Sequence, residues 1–319
     1  MTATVPASTD VSSAANGRVR HRQQSADSLT QTLQASLRSR IAGEVRFDAV
    51  SRMLYSTDAS NYQIEPVGVV IPASREDVLA TIEIAAEHGV PLLPRGGGSS
   101  LAGQTVGAAL VIDFSKVLNR ILDVDAESRT VTVEPGINLD ALNRQLRPTG
   151  LMFGPDPASA NRATAGGVVG NNSTGSHSIL YGMTGDNVQS LKAATIDGAL
   201  LDLGPVSPQA MAGHAGLNDA RGRLFAQLLA FRQRYGGLIA RDFPPHWRRA
   251  TGYSLNELLK PDDAFNPARL LVSSEGTLAT LLEITFNLVP RPTQTGLVLL
   301  QFEELVASMA AAPAILETG

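Results

Sequence analysis

The chain has 319 residues and no cysteine, and this absence rules out several kinds of chemistry. It cannot form disulfides, thiolate zinc sites or iron–sulfur ligation, and it has no cysteine nucleophile. No run of about 18 apolar residues occurs, so no membrane span is predicted. The net charge of −4 gives no basic footprint for nucleic acid or for an anionic membrane surface. No signal pattern is present, which favours a cytoplasmic location.

Enough apolar sequence is present for an ordinary soluble core, because 43% of the residues are apolar and 18% are charged. The length is compatible with two compact units or one large one. Residues 1–28 are rich in Ala, Ser, Thr and Gln and are predicted to be disordered. Residues 29–66 begin with a helix, Leu29–Arg40, and continue as a segment that wraps the next unit.

A strand–helix–strand unit begins at Val67. The run VGVVIPAS predicts a buried strand, after which Ser74 caps a helix, Arg75–His88, that ends at Gly89. A second strand, Val90–Leu93, leads directly into the sequence PRGGGSSLAGQTVG. Consecutive glycines are costly in backbone entropy, so we expect them to allow bare backbone to approach a ligand. Their amides can form a concave group, a nest, that binds phosphate or pyrophosphate.

The surroundings of these glycines exclude two common nucleotide folds. Rossmann and P-loop motifs place a helix directly after the glycines. Here the next ordered pattern is Ala109–Phe114 (ALVIDF), which predicts another buried strand. A plain flexible loop is the alternative interpretation, since glycine motifs taken alone often mislead.

A second informative stretch runs from Gly154 to Asn187 and is rich in glycine, amides and hydroxyls but low in charge. A loop of this length inside a compact domain is usually functional. Its donors suit a large planar polar heterocycle better than a metal, and His177 has no second ligand spaced to help it.

The rest of the chain predicts an α+β fold. Asp197-Gly198 between two apolar runs indicates a hairpin within Asn187–Leu203. The other predicted elements are short strands at Arg120–Val124 and Thr130–Glu134, a helix at Asn138–Leu146, a helix at Leu224–Tyr235 closed by Gly236-Gly237, a turn entering a helix at Thr251–Leu259, a strand, turn and helix within Leu270–Leu281, strands at Leu282–Val289 and Gly296–Phe302, and a helix at Leu305–Leu316.

Five motifs in order resemble one family. They are RGGGSSLAG, GPDPASANRATAGGVVGNNSTGSHSILYG, DG between strands, TGYSLNELL and SSEGTLATLLEITFNLVPRP. Together they resemble the FAD-binding domain of vanillyl-alcohol-oxidase-type flavoproteins, the PCMH-type fold, in its branch of FAD-linked 2-hydroxy-acid dehydrogenases. The resemblance implies a small α/β subdomain followed by a larger mixed-sheet subdomain. It places the FAD-binding domain at residues 67–292, with residues 293–319 as the start of an incomplete cap domain or a C-terminal extension.

The resemblance also implies roles for individual residues. The glycine stretch would wrap the FAD pyrophosphate, a second group would line the flavin and ribityl chain, Ile196 would pair its backbone with adenine, and a third group would close the site. Because Ser99 stands where some relatives carry a covalently attached histidine, FAD is expected to be non-covalent. The implied cofactor-binding residues are Arg95, Gly96, Gly97, Gly98, Ser99, Ser100, Gln104, Pro155, Asp156, Ala165, Gly166, Gly167, Asn171, Ser173, Thr174, Gly175, Ser176, Tyr181, Gly182, Ile196, Glu275 and Gly276.

Members of this branch oxidise a 2-hydroxy acid by transferring hydride to flavin N5. The implied partners are a small 2-hydroxy acid and a cap-bearing or iron–sulfur subunit; no metal site is expected, and no catalytic base can be named. We expect the isolated chain to need a cap or a partner for full activity. The alternatives are a non-catalytic electron-transfer subunit of a glycolate-oxidase-like complex, and a nucleotide-binding regulatory domain without redox activity.

Overall fold

The computed structural model describes residues 28–249, 252–261 and 265–318, apart from the side chain of Pro208. The predicted disordered tail therefore lies outside the described residues, except for its last residue. The chain divides into two compact units, Met1–Val289 and Pro290–Gly319. No helix in the described ranges is both long enough and apolar enough to cross a membrane.

Helices and short strands alternate along the described residues. The strands are β1 (Glu44–Arg46), β2 (Gly68–Ile71), β3 (Leu92–Arg95), β4 (Leu110–Asp113), β5 (Ile121–Asp125), β6 (Thr130–Val133), β7 (Leu151–Met152), β8 (Val188–Ala194), β9 (Leu200–Leu203), β10 (Thr280–Asn287) and β11 (Val289–Pro290). The helices are α1 (residues 28–40), α2 (Ala49–Leu54), α3 (Arg75–Glu87), α4 (Leu139–Gln145), α5 (Ala165–Asn171), α6 (Ser178–Tyr181), α7 (Pro208–Ala215), α8 (Ala220–Asp242) and α9 (Leu305–Leu316).

The smaller sheet has four strands in the order β1-β2-β4-β3. β4 runs parallel to both β2 and β3, whereas β1 is antiparallel to β2. Helix α3 connects β2 to β3 and begins as predicted, because the Ser74 side chain accepts a hydrogen bond from the Asp77 amide. Gly89 ends it with φ of 63°, the left-handed backbone that favours glycine.

The larger sheet has five strands in the order β5-β6-β10-β8-β9. All its neighbours are antiparallel, so the smaller sheet, rather than this one, is the mixed sheet. The predicted hairpin joins β8 to β9, and Gly198 takes a φ of 82° in its turn. The largest core cluster packs on this sheet and includes Phe153 and Phe286, whose ring centroids lie 4.5 Å apart. The α+β, two-subdomain fold class is thus confirmed.

Helix α3 joins the two sheets. Its buried Val78 and Ile82 belong to a cluster with Ile112 of β4 and Leu282 of β10. At its first turn, Arg75 Nη1 lies 2.8 Å from Oε1 of Glu283, whose other oxygen lies 2.8 Å from Lys192 Nζ on β8. Apolar burial and this partly exposed ion-pair network therefore fix the small sheet against the large one.

Two adjacent glycines do not end the helix that they were predicted to close. Helix α8 runs through Gly236 and Gly237 to Asp242. The helical spacing of apolar residues continues past them, and Ile239 is buried in a cluster with Phe225 and Leu258. Tertiary packing therefore outweighs the unfavourable helix propensity of glycine, about 1 kcal/mol per residue.

Two further predictions were wrong in detail. The stretch 154–187 is not one loop: it contains α5 and α6, and α5 is capped by Thr164 and anchored by fully buried Val168 and Val169. Within 270–281 no helix follows the turn, because strand β10 already begins at Thr280. The alternating burial along β10 starts at that residue, as expected for a strand with one buried face.

The second unit contains an exposed apolar run and helix α9. The strand predicted at Gly296–Phe302 is absent, and Leu297, Val298 and Leu299 are at least 80% exposed. A strand needs a hydrogen-bonded neighbour, and no described residue pairs with this run. Helix α9 forms as predicted and has no buried residue.

Replacing Phe286 with alanine should remove the best-packed aromatic contact of the larger sheet. We expect Phe286→Ala to lower the free energy of unfolding by about 3–5 kcal/mol, because the side chain is fully buried. Phe231→Ala is the control, since Phe231 is 40% exposed on α8, and it should cost less than about 1 kcal/mol. Urea unfolding followed by circular dichroism measures both, and equal losses would contradict the assignment of this core.

Candidate cofactor-binding site

The glycine loop, residues 96–107, connects β3 to β4 with no intervening helix, as predicted. Only Gly98 and Gly103 have left-handed backbone, with φ of 61° and 81°. Gly96 and Gly97 are needed for a different reason: a Cβ on Gly96 would overlap Thr164 Oγ1, and one on Gly97 would overlap the carbonyl oxygen of Arg162. These two glycines allow close approach of the 162–164 backbone, so that substitution at Gly97 would disturb protein packing as well as any ligand.

Five successive amides in this loop are left without protein partners. None of the N–H groups of residues 96–100 donates a hydrogen bond to any of the described residues. The five residues are half-buried, apart from exposed Gly97. Partly buried backbone donors are normally satisfied by protein, water or a ligand. A run of such amides fits the oxygens of a diphosphate, so the loop satisfies the main requirement of an FAD site.

The Arg95 guanidinium lies beside Gly98, where main-chain carbonyl oxygens hold it. Its Nη1 donates to the carbonyl oxygens of Tyr55 at 3.1 Å and Thr105 at 2.9 Å, and its Nη2 donates to that of Thr57 at 2.7 Å. Burial lowers the pKa of Arg95, while the carboxylates of Asp113 and Asp58 oppose that shift. The hydrogen bonds of this side chain are therefore to main-chain oxygens that flank two neighbouring loops.

A tyrosine and a buried carboxylate support Arg95. The guanidinium carbon lies 5.3 Å from the centroid of the Tyr55 ring, within the range of a cation–π contact. The Tyr55 hydroxyl donates to Asp113 Oδ2 at 2.5 Å, and Asp113 is only 4% exposed at the end of β4. Burial, followed by this hydrogen bond, raises the pKa of Tyr55, so the hydroxyl stays a donor throughout the neutral range.

The turn that precedes β10 approaches the glycine loop from another side. Gln104 Nε2 donates to Glu275 Oε1 at 3.2 Å, and Gln104 Oε1 accepts from Ser100 Oγ. Glu275 has a φ of 51° and donates its amide to Gly170 at the end of α5, while Gly276 packs on Pro94. The structure therefore brings the predicted closing residues to the glycine loop.

The predicted flavin-lining residues form a second group. The Ser176 amide and hydroxyl donate to Asp156, and a Cβ on Gly175 would overlap the Asp156 carbonyl. Tyr181 packs on Gly154. Of the remaining members, Pro155 is buried, while Asn171 at the end of α5, Ser173, Thr174 and Gly182 are at least partly exposed. His177 Nδ1 lies 3.9 Å from Asp156 Oδ2 and is half-exposed.

Three of the predicted residues have amides that are already bonded within the protein, and a fourth has no described contact with the glycine loop. Ala165 is fully buried, and its amide donates to Ile137. The amides of Gly166 and Gly167 are likewise bonded to Pro135 and to the Thr164 side chain. Ile196 lies in the turn between β8 and β9, 55% exposed, and no described contact joins it to the glycine loop.

Sequence reasoning missed two features near the site. The first is the pair of hydrogen bonds that Arg95 donates to the carbonyl oxygens of Tyr55 and Thr57. These two residues lie about 40 positions before Arg95, and no local sequence pattern indicates the contact. The second is a shallow open cleft beside Asn172, with Arg249, Arg269, Tyr253 and Glu257 among its lining residues. Arg269 donates there to the carbonyl oxygens of residues 186 and 188. Within the described ranges, no group of histidine and acidic residues could hold a metal ion.

The chain is similar to flavin-linked dehydrogenases and oxidases over most of its length. It is 35% identical over 280 residues to the D-2-hydroxyglutarate dehydrogenase of Pantoea ananatis, and 32% identical over 279 residues to that of Escherichia coli. These alignments cover 86% of this chain and 27% of each relative. Glycolate oxidase subunit GlcD of Bacillus subtilis is 30% identical over 273 residues, covering 84% of this chain and 47% of the relative. The chain thus spans about a quarter of the length of the D-2-hydroxyglutarate dehydrogenases.

Solved structures support the same fold. Two structures of alkyldihydroxyacetonephosphate synthase match 78% of this chain with TM-scores of 0.55 and 0.54, at 21% and 22% identity, and the match covers 38% and 41% of those chains. At this identity the match supports the fold alone. Residues 66–204, which include the glycine loop and α5, match the FAD binding domain family. The matched range contains the first three of the five motifs on which the prediction of an FAD-binding domain rests.

Proposed function

We propose that the chain is the FAD-binding part of an oxidoreductase that acts on the CH–OH group of a 2-hydroxy acid. The observation that carries this proposal is the row of five amides, residues 96–100, without partners among the described residues. They lie in the domain that matches the FAD-binding family. The similarity to D-2-hydroxyglutarate dehydrogenases and to a glycolate oxidase subunit supports a hydroxy acid as the substrate class.

Different residues bind different parts of the cofactor. The amides of residues 96–100 bind the diphosphate, and the Ser99 and Ser100 hydroxyls add donors. The segments 154–156 and 173–182, which contact each other, line the flavin, and Glu275 with Gly276 closes the site from the side of β10. Ser99 carries no group that forms a covalent flavin link, so the cofactor is held non-covalently.

Bound FAD would supply the acceptor for the hydride from the substrate's α-carbon. The chain must then orient that carbon and accept the hydroxyl proton, so that the 2-hydroxy acid becomes a 2-oxo acid. His177 beside Asp156 is the only histidine in the flavin-lining segments, but it is half-exposed and its partner is 3.9 Å away. We assign it no role as the base. A small carboxylate also needs an arginine or metal clamp, and Arg162, which lies between these two segments in sequence, is the candidate arginine.

The second candidate function is electron transfer without substrate oxidation, as one subunit of a larger complex. The specific observation in its favour is the similarity to a protein named as a glycolate oxidase subunit. Both functions require bound FAD, and they differ in whether the chain itself turns over a hydroxy acid. A nucleotide-binding domain without redox activity would instead yield colourless protein, so the flavin absorbance of the purified protein separates it from both.

FAD should be released intact when the protein is denatured. Purified protein is expected to absorb as flavin, and acid precipitation should leave the flavin in the supernatant, because Ser99 offers no covalent attachment. Chromatography of the supernatant against FAD and FMN identifies the cofactor. Flavin that stayed in the washed pellet would contradict non-covalent binding.

Substituting Gly98 should weaken FAD binding more than left-handed strain alone explains. Gly98→Ala places a Cβ at a φ of 61°, next to the Arg95 guanidinium, within the row of unpaired amides. We expect a loss of stability of about 1 kcal/mol and at least tenfold weaker FAD binding. Gly89→Ala is the matched control, because Gly89 has a φ of 63° at the end of α3 with nothing within 4 Å of its Cβ position. Equal FAD affinities in the two variants, measured by flavin fluorescence, would argue against the amide row as the diphosphate site.

The 319-residue chain by itself should oxidise hydroxy acids very slowly. Hydride transfer needs reacting atoms about 3–3.5 Å apart, and the flavin-lining segments offer little to clamp a carboxylate. We expect flavin binding to survive while turnover with D-2-hydroxyglutarate, glycolate or D-lactate and a dye acceptor stays near background. Turnover of about 1–1000 per second would show that the chain alone completes the active site.

A further inference from the structure

A loop before the matched domain contacts the glycine loop. The N-terminal loop, residues 56–64, follows α2 and closes on itself through a 2.9 Å hydrogen bond from the Ile64 amide to the Ser56 carbonyl. The family match begins only at residue 66. The loop has little apolar packing, since Tyr62 is 60% and Ile64 42% exposed. Such a segment opens easily unless polar contacts hold it in place.

These polar contacts are made with the loop that carries the unpaired amides. The Ala59 amide donates to the Gly98 carbonyl at 3.1 Å. Asp58 Oδ2 accepts from the Thr105 amide at 3.3 Å and from its hydroxyl at 3.0 Å. The Tyr62 ring covers Gly103, where a Cβ would lie 2.7 Å from the ring. The N-terminal loop thus meets the glycine loop at three separate points.

Arg95 joins the two loops through its hydrogen bonds. Its guanidinium donates to Tyr55 and Thr57 on the N-terminal side and to Thr105 at the far end of the glycine loop. Hydrogen bonds from a charged donor are stronger than neutral ones, and a planar guanidinium holds several acceptors in a fixed geometry. A lysine at this position would keep the charge but could not bridge three carbonyls in the same way.

We propose that the N-terminal loop is part of the cofactor site, and that Arg95 is the positioning residue that fastens it to the glycine loop. The inference rests on the proposed FAD binding and concerns how this site is held in shape. Arg95 acts through the loops and does not touch the diphosphate. Because coupling between two events is reciprocal, cofactor bound to the amides stabilises the N-terminal loop, and the fastened loop strengthens cofactor binding.

A double-mutant cycle tests this role. We expect Arg95→Lys and Asp58→Ala each to weaken FAD binding about tenfold or more, the size of one lost charge-assisted hydrogen bond. The double variant should bind about as weakly as Arg95→Lys alone, because either change releases the same loop. Arg75→Lys is the matched control: Arg75 pairs with Glu283 away from both loops, and its variant should stay within about twofold of the unchanged chain.

Two results would overturn the proposal. If Arg95→Lys lost affinity while Asp58→Ala kept it, Arg95 would act by contacting the phosphate directly. If the fold losses in FAD affinity of Arg95→Lys and Asp58→Ala multiplied in the double variant, the two residues would act independently. If circular dichroism shows that Arg95→Lys does not fold, Asp58→Ala and Tyr62→Ala test the proposal instead. Unchanged FAD affinity in both of these variants would refute it.

Chymotrypsin digestion tests the fastening without relying on FAD. It cleaves after aromatic residues, and Tyr62 lies exposed in the N-terminal loop. We expect cofactor-free Arg95→Lys protein to be cut after Tyr62 about tenfold faster than the unchanged protein, and FAD to slow cleavage of the latter. Equal cleavage rates in the cofactor-free Arg95→Lys variant and the cofactor-free unchanged protein would refute the proposal that Arg95 fastens the N-terminal loop. If the unchanged chain bound no FAD, the proposed function would fail, while the cleavage comparison would still report on Arg95.

Discussion

The amides of residues 96–100 have no partners among the described residues, and the surrounding structure holds their loop in shape from several directions. A glycine-containing loop has high conformational entropy and would not by itself keep five donors aligned. Here residues 162–164 pack so closely against Gly96 and Gly97 that no side chain fits between them. The turn before β10 holds Gln104, and Arg95, directly before the loop, donates to the Thr105 carbonyl oxygen near the other end of the loop. The open amides therefore depend on the fold around them.

The parts predictable from sequence were those with local causes. The cap at Ser74, the left-handed end at Gly89 and the Asp197-Gly198 hairpin each follow from short-range backbone chemistry, and each was confirmed. The glycine loop between two strands was also visible, because its neighbours are compact apolar runs. Five motifs in order led to the prediction of an FAD-binding domain, and residues 66–204 match a domain of that kind.

The failures have a common physical origin in tertiary packing. Gly236 and Gly237 look like a helix end, yet burial of Ile239 carries α8 past them. The glycines within α5 likewise led to the prediction of a loop, whereas the Thr164 cap and two buried valines stabilise a helix there. The hydrogen bonds of Arg95 could not be predicted, since its acceptors are the carbonyl oxygens of residues 55, 57 and 105. Every residue type has a carbonyl oxygen, so the sequence does not mark these three.

The contacts that shape the glycine loop join segments scattered between residues 55 and 276, and this separation affects the order of folding. Contacts between distant segments require large loops to close, so they form late and slowly. Both sheets must be nearly complete before the amide row exists in its final geometry. FAD would then bind only the finished fold and stabilise it by mass action, rather than guide the chain toward it. Refolding rates should therefore be insensitive to the cofactor, even where the melting temperature rises with its concentration.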